Sequence, residues 1–260
     1  MCALFHPEVP QAVEPTEPAQ NKFPKIAGAE IAASIFQNRV GGDFYDSFSV
    51  GQERILFGLL DVAGRAETNR TILDAAQKLF RTVGSQLFAP FDMNESDAMV
   101  QLCIQLNIGI MEKAAGVHPC PAFIGCYHER LGTLCYTNAG HTAGLLRDST
   151  GVTELSSTGL PLGLFSHATC EAPTVGIEKG AALLLVSRGV VDGISKDSKD
   201  RDTEGEDGEF GLERTKNFLR SDHSPSAQSL CASVLHQVGQ FIGEPLVPDD
   251  MTALALIRTA

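Results

Sequence analysis

Val40-Gly-Gly-Asp-Phe-Tyr-Asp46 and Leu59-Leu-Asp-Val-Ala-Gly64 bracket the stretch that decides the fold. Phe44–Val50 and Ile55–Val62 are strand-like runs separated by Gly51 and its polar neighbours Gln52 and Glu53, the pattern of a β-hairpin with a short loop. The second run opens Ile55-Leu-Phe-Gly-Leu-Leu60, almost wholly apolar, and reads as a central strand buried on both faces. Yet it ends on Asp61, and its partner begins on Asp43. Antiparallel pairing about Gly51 brings these two carboxylates to the same end of the hairpin. Acids gathered at the edge of an apolar core repel each other, and burial penalises each charge. A cation between them resolves the conflict; two solvated strand-end aspartates are the alternative that the hairpin by itself leaves open.

Outside this stretch, 260 residues with an apolar share of 43% suffice for a sizeable core. The net charge of −12 argues against nucleic acid, which rewards clustered Lys and Arg. It suits a protein that gathers cations, although surface solubility accounts for it equally well. Cys2, Cys103, Cys120, Cys126, Cys135, Cys170 and Cys231 are odd in number and scattered, with no C-x-x-C pair, so zinc and disulfide-redox motifs are unsupported and a reducing cytoplasm is the expected location. Neither a signal peptide nor a membrane-spanning run is present in the sequence.

Residues 1–22, rich in Pro and polar side chains, are expected to be a disordered lead-in, and residues 23–260 a single domain. Ala27–Phe36 reads as a strand feeding the hairpin. A helix is predicted after Gly64, with Leu73, Ala76, Phe80, Val83 and Leu87 on one face and Pro90 as its stop. A second opens at Asn94-Glu-Ser-Asp97, buries Met99, Leu102, Leu106, Ile110 and Ala114, and closes at Gly116. Strands follow at Ala122–Tyr127, Leu134–Asn138, Gly144–Arg147 and Ala181–Ser187. The acidic 196–209 segment contains Asp200-x-Asp202-x-Glu204-Gly205, which mimics the start of an EF-hand; Gly211 stands where the bidentate Glu is required, so a solvated flap is the reading. A last helix over Ala227–Ile242 precedes a strand opening on Asp249 and Asp250. Antiparallel strands with helices between them predict an α+β fold of two stacked sheets flanked by helices.

Three carboxylate clusters thus adjoin core strands: Asp43 with Asp46, Asp61, and Asp249 with Asp250. Hard oxygen donors without His or Cys at metal spacing suit Mg²⁺ or Mn²⁺. At this point the sequence resembles a known family. Gly41-Gly-Asp-Phe-Tyr-Asp46, Leu60-Asp-Val-Ala-Gly64, Asn138-Ala-Gly-His141, Gly159-Leu-Pro-Leu-Gly-Leu164, Glu209-Phe-Gly211 and Asp249-Asp-Met-Thr252 look like the ordered motifs of SpoIIE/RsbU-type metal-dependent serine phosphatases of the PPM superfamily. The resemblance implies a four-layer αββα sandwich holding two Mn²⁺ or Mg²⁺ ions, and hydrolysis of a phosphoserine on a regulatory protein of the anti-sigma-antagonist type. It places Asp43, Asp61 and Asp249 on the family's catalytic metal carboxylates, adds the Val62 carbonyl, and leaves Asp46 and Asp250 as further candidates. His141 lies in a family motif but off the ligand positions, and a structural role is expected for it.

Two departures bear on activity. Arg65-Ala66 replaces the His-Gly of the family's Asp-Val-Ser-Gly-His-Gly, and Ser187-Arg188-Gly189 replaces its Thr-Asp-Gly. The Asp lost at position 188 is by resemblance a metal ligand, and Arg does not deprotonate at any relevant pH. Three Asp charges and one Arg suit one divalent ion better than two. The expectation is that Arg188 pairs with Asp61 or Asp249 as an internal cation, and that Asp192, four residues on, does not reach back to take the place of the lost ligand. The alternatives are therefore a serine phosphatase with one metal or reduced activity, and a pseudophosphatase that grips a regulatory partner in a partner-switching pathway without hydrolysing it. Relatives usually carry an upstream sensor domain; residues 1–21 offer none, so control by an attached sensor is not expected.

Overall fold

The computed structural model describes residues 23–36, 42–62, 66–114, 116–167, 169–195, 208–243 and 250–260. The 1–22 lead-in, Arg65, the 200–205 segment and Asp249 lie outside them. In chain order the elements are β1 (Ala29–Phe36), β2 (Asp43–Val50), β3 (Arg54–Asp61), α1 (Ala66–Leu87), α2 (Glu95–Lys113), β4 (Ala122–His128), β5 (Thr133–Ala139), β6 (Gly144–Asp148), β7 (Gly151–Leu155), β8 (Thr174–Gly176), β9 (Ala182–Val186), α3 (Arg188–Val191), α4 (Gly211–Ser221), α5 (Ala227–Ile242) and β10 (Met251–Arg258).

The strands form two five-stranded sheets, ordered β1-β10-β9-β6-β7 and β2-β3-β4-β5-β8, and all the strand pairs within them are antiparallel. The fold is α+β, a four-layer αββα sandwich. Alternation along each strand assigns the layers. Phe57 and Leu59 of β3 meet Leu183 and Leu185 of β9 and Leu254 and Leu256 of β10 in the core between the sheets. Leu56 and Leu60 face the opposite way, onto Ile72, Ala76 and Phe80 of α1 and Met99, Leu102 and Leu106 of α2. The far sheet turns Leu184, Val186, Ala253 and Ala255 outward onto Leu230, Val234 and Val238 of α5.

Local signals set the boundaries. Gly51, at φ 56, turns the hairpin with Glu53 at φ 63, a left-handed geometry that glycine adopts without steric cost. Asn94 caps α2 by accepting from the Asp97 amide at 3.2 Å. Ser226 and Ser229 cap α5 reciprocally. Buried Arg54 donates from Nε to Glu95 Oε1 at 2.7 Å and ties the hairpin to the start of α2.

β1, which leads into the hairpin in chain order, pairs with β10 over Ala29↔Arg258 to Phe36↔Met251 in the other sheet. Its inward residues Ala29, Ile31 and Ala33 find apolar partners there, and sequence order alone does not specify which sheet edge a strand joins. β7, β8 and α4 were not read from the sequence: β7 and β8 are short, and α4 is mostly polar although Leu212, Phe218 and Leu219 pack on one face.

Candidate functional site

β2 and β3 hold Asp43 directly opposite Asp61. The adjacent pair is hydrogen-bonded, with the Val62 amide donating to the Gly42 carbonyl at 3.0 Å. Asp43 and Asp61 therefore form the alternate, non-hydrogen-bonded kind of pair, in which side chains approach most closely. By strand parity with Tyr45, Phe57 and Leu59, both point into the gap between the sheets. The far sheet delivers Ser187, Asp250 and Thr252 to the same end, each in phase with the inward Leu185, Leu254 and Leu256.

Hydrogen bonds lock this junction. Thr252 donates its hydroxyl to Asp43 Oδ2 at 2.6 Å, directly across the two sheets. The Gly42 amide donates to Asp250 Oδ2 at 3.2 Å, a second crossing. Ser187 and Thr252 are joined twice, by Ser187 N–H to the Thr252 carbonyl at 2.9 Å and by Thr252 N–H to Ser187 Oγ at 2.9 Å. Burial raises the Asp43 carboxyl from 3.8 to about 7; the Asp61 and Asp250 charges push the same way, and the Thr252 and Ser187 hydroxyls offset part of it. At neutral pH this carboxyl needs either a proton or a positive partner.

The Val62 carbonyl accepts from Asn69 Nδ2 at 2.8 Å. Asn69 lies on α1, fully buried, and its Oδ1 has no hydrogen-bond partner. A carbonyl oxygen has two lone pairs, so this contact fixes the carbonyl without exhausting it. Gly42 is required by the same carbonyl, because a Cβ at that position would collide with the Val62 oxygen. Gly42→Ala should therefore displace the Asp43 end of the hairpin, lowering Tm by several degrees and weakening divalent-ion binding in calorimetry; an unchanged affinity would show that the close approach is dispensable.

Other candidates fall elsewhere. Asp46, three residues from Asp43, lies on the opposite face of β2 and is gripped by Arg81 of α1, Nε to Oδ2 at 2.6 Å and Nη2 to Oδ1 at 2.5 Å. The Arg188 side chain is 71% exposed and its Nε donates to Asp192 Oδ2 at 2.7 Å; its expected pairing with Asp249 lies outside the described residues. The inward position after β9 belongs to Ser187, and the next residue starts α3, whose single turn brings Asp192 back at i+4.

His141 is buried beside this junction. Its amide donates to Asn138 Oδ1 at 2.8 Å, and the Thr142 hydroxyl lies 3.0 Å from Nδ1 while also bonding the Val186 carbonyl. Nε2 has no hydrogen-bond partner, and burial lowers the imidazole from 6.5 to about 4, so it is neutral near pH 7. Among the described residues no three His, Cys, Asp or Glu side chains gather to hold a metal ion; Asp43 and Asp61 supply a pair, and Asp249 lies outside that set.

The reading of the motifs missed Asn69, Ser187, Gly42 and Thr252 as working parts. Asn69 had a signal: it is a polar residue in step with Ile72, Ala76 and Phe80 on the buried stripe of α1. Thr252 could have been found by counting back in twos from Leu254 and Leu256.

The family model described as Stage II sporulation protein E (SpoIIE) matches residues 51–259. The chain belongs to the SpoIIE family. Asp43 precedes the matched stretch and joins the site through the hairpin, whereas Asp61 and Asp250 fall within it. Phosphoserine phosphatase RsbP of Bacillus subtilis (strain 168) is 28% identical over 182 residues, covering 68% of this chain and 42% of RsbP. The chain spans less than half the length of the curated relatives it matches. Among solved structures, the RsbU and RsbW domains of Rv1364c from Mycobacterium tuberculosis superpose with a TM-score of 0.72 at 20% identity, over 92% of this chain and 63% of that one. The catalytic domain of the serine threonine protein phosphatase PstP, in complex with two manganese ions, gives 0.60 at 12% identity, over 88% and 98%. At these identities the structural matches show a shared fold.

Proposed function

We propose that this SpoIIE-family chain is a metal-dependent protein serine phosphatase whose site takes one divalent ion, Mn²⁺ or Mg²⁺, at Asp43 and Asp61, with Asp249 and the Val62 carbonyl as further donors. The observation that carries this reading is the Asp43–Asp61 pair, two hard-oxygen donors opposed at the mouth of the inter-sheet core with one carboxyl pushed up to about 7. Such a donor set fits a small divalent cation, whose charge offsets the repulsion between the two acids. A bound ion supplies Lewis acidity toward a phosphate ester and acidifies water for in-line attack.

The chain's own residues do the positioning. Thr252 fixes one oxygen of Asp43, and the Ser187 hydroxyl also supports that carboxylate. Asn69 holds the Val62 carbonyl in place, and the Gly42–Asp250 contact keeps the sheets together at the site. Asp46, committed to Arg81, braces α1 from the far side of β2 and stays out of the ligand set. RsbP is a phosphoserine phosphatase by name, which supports a phosphoserine on a regulatory protein of the anti-sigma-antagonist type as the substrate.

A second reading, the pseudophosphatase, is favoured by one observation: position 188 offers a guanidinium, engaged by Asp192, where the family pattern has a ligand carboxylate. Mn²⁺ calorimetry run alongside hydrolysis of an aryl phosphate and of a phosphoserine peptide separates the two. The phosphatase reading expects one ion per chain and metal-dependent turnover, raised in Arg188→Asp. Metal binding without turnover of either substrate, in both wild type and Arg188→Asp, would establish the binding module; no metal binding at all would sink both site assignments.

A further inference from the structure

Exposed large apolar side chains are scattered singly on most surfaces, but four of them here, Ile108, Val117, Leu160 and Phe165, stand on three segments fastened to one another. Ile108 lies on the solvent side of α2, Val117 in the turn before β4, and Leu160 and Phe165 in the loop between β7 and β8. Buried Asn107, next to Ile108, ties the first segment to the third. Its Nδ2 donates to the Phe165 carbonyl at 3.0 Å, and its Oδ1 accepts from the Gly163 amide at 2.7 Å. The second and third are joined by the Cys120 amide to the Leu162 carbonyl at 2.7 Å and the Leu162 amide to the Cys120 carbonyl at 3.1 Å. They also touch at Gly163, where a Cβ would collide with the His118 carbonyl oxygen.

This strip borders the carboxylate junction. The Asp61 amide donates to the Pro121 carbonyl at 2.9 Å, and Ala122 bridges Gly140, just past the end of β5. Gly140 in turn abuts Pro161, the residue after Leu160. Asp61, Pro121 and Gly140 therefore stand side by side at the same end of β3, β4 and β5, which are neighbours in the sheet. At about 4.8 Å per strand, the Leu160 segment begins about 10 Å from Asp61. Charge sets the strip apart as well. Residues 114–121 and 156–167 contain no Asp, Glu, Lys or Arg, in a chain that is 20% charged overall. A chain of net charge −12 repels a phosphoserine, itself about −1.5 to −2, at long range. Beyond the metal site, affinity for a phosphorylated protein then has to come from close, uncharged contact, which apolar surface supplies whatever the sign of the partner.

We propose that this strip is the docking surface for the phosphoprotein substrate and takes an apolar segment of that protein beginning about three residues from its phosphoserine. The choice of partner rests on the phosphatase reading above. The spacing follows from reach: an extended peptide covers about 10 Å in three residues, so a phosphoserine at Asp43 and Asp61 carries the side chains beyond it over Leu160, and then Phe165 and Val117.

The test uses the full chain in Mn²⁺ and two fluorescein-labelled peptides with a central phosphoserine. One carries leucines three, four and six residues to either side; the other carries serines at the same positions. Fluorescence anisotropy should show the leucine peptide binding about 10-fold or more tighter. Phe165→Ser combined with Leu160→Ser should erase that preference and leave aryl phosphate turnover unchanged. Leu131→Ser is the control and should keep it: Leu131 is as exposed as Phe165, at 55%, but sits between β4 and β5 at the opposite end of the sheet. Equal affinity for the two peptides, no measurable binding of either, or a preference that survives the double substitution would overturn the proposal. So would a wild-type dimer in light scattering that the double substitution dissociates, because a second copy then covers the strip. The two peptides on wild type decide the matter even if the double variant misfolds. Should neither peptide nor aryl phosphate be hydrolysed, the phosphatase reading fails while the affinity ratio still judges the docking surface.

Discussion

Asp61→Asn should weaken Mn²⁺ binding by more than about 100-fold and abolish metal-dependent ester hydrolysis, while leaving the metal-free protein as stable as wild type or more so. Changes one shell further out typically cost about 10- to 100-fold in affinity, and removing a charged donor exceeds that. Stability moves the other way because Asp61 opposes Asp43 across the hairpin, and neutralising one of two close acids relieves the other. Asp46→Asn is the matching control three residues from Asp43. It weakens a bidentate contact with Arg81 on the helix-facing side, so it should cost about 1.5–3 kcal/mol of stability with metal affinity intact. Calorimetry, aryl phosphate turnover and thermal melts in EDTA read all three quantities. If Asp61→Asn keeps wild-type affinity, or if Asp46→Asn loses it, the ligand set has been assigned to the wrong face of β2.

That division of labour between Asp43 and Asp46 was only half legible in the sequence. The hairpin announced itself through Gly51 and two runs of the right length, and its register followed from the turn, so the meeting of Asp43 and Asp61 was readable. The odd spacing of Asp43 and Asp46 already put them on opposite faces, but which face was inward depended on Tyr45 meeting the far sheet rather than the helices. Helices α1, α2 and α5 were legible from apolar residues at helical spacing, and α2 also from its Asn94 cap. The partner of β1 was not, since a strand buried on one side pairs with any edge that offers apolar neighbours. The Arg188–Asp192 contact was not legible for a local reason: one helical turn after β9 sets it, and no period in four residues reveals it. The contacts of Thr252 and Asn69 needed the sheets stacked and α1 docked before their polar atoms had anything to meet.

The pH dependence of the metal-free protein should expose two buried groups that work against each other. Asp43 is held near 7 in the fold against 3.8 ordinarily, so between those values the folded state binds more protons than the unfolded. Its contribution to stability therefore falls as pH rises from about 4 to about 7. His141 is the reverse: its imidazole is held at about 4 against 6.5, the unfolded state binds more protons in that interval, and its contribution rises with pH. At about 1.36 kcal/mol per pKa unit the whole effect amounts to about 4 kcal/mol for Asp43 and about 3 kcal/mol for His141, and over pH 4–6.5 the two nearly cancel. In EDTA, Asp43→Asn should thus gain stability from pH 4.5 to 7.5 relative to wild type, and His141→Gln should lose it over pH 4.5 to 6.5, both read from urea midpoints. Identical slopes in wild type and Asp43→Asn would mean that this carboxyl is solvated in the fold. Saturating Mn²⁺ should then convert the wild-type profile to a rising one, because binding at Asp43 requires its proton to leave, so metal stabilisation grows as pH rises toward about 7 and levels off above it. Asp43→Asn has no such proton to lose, so its profile should be the same with and without the ion.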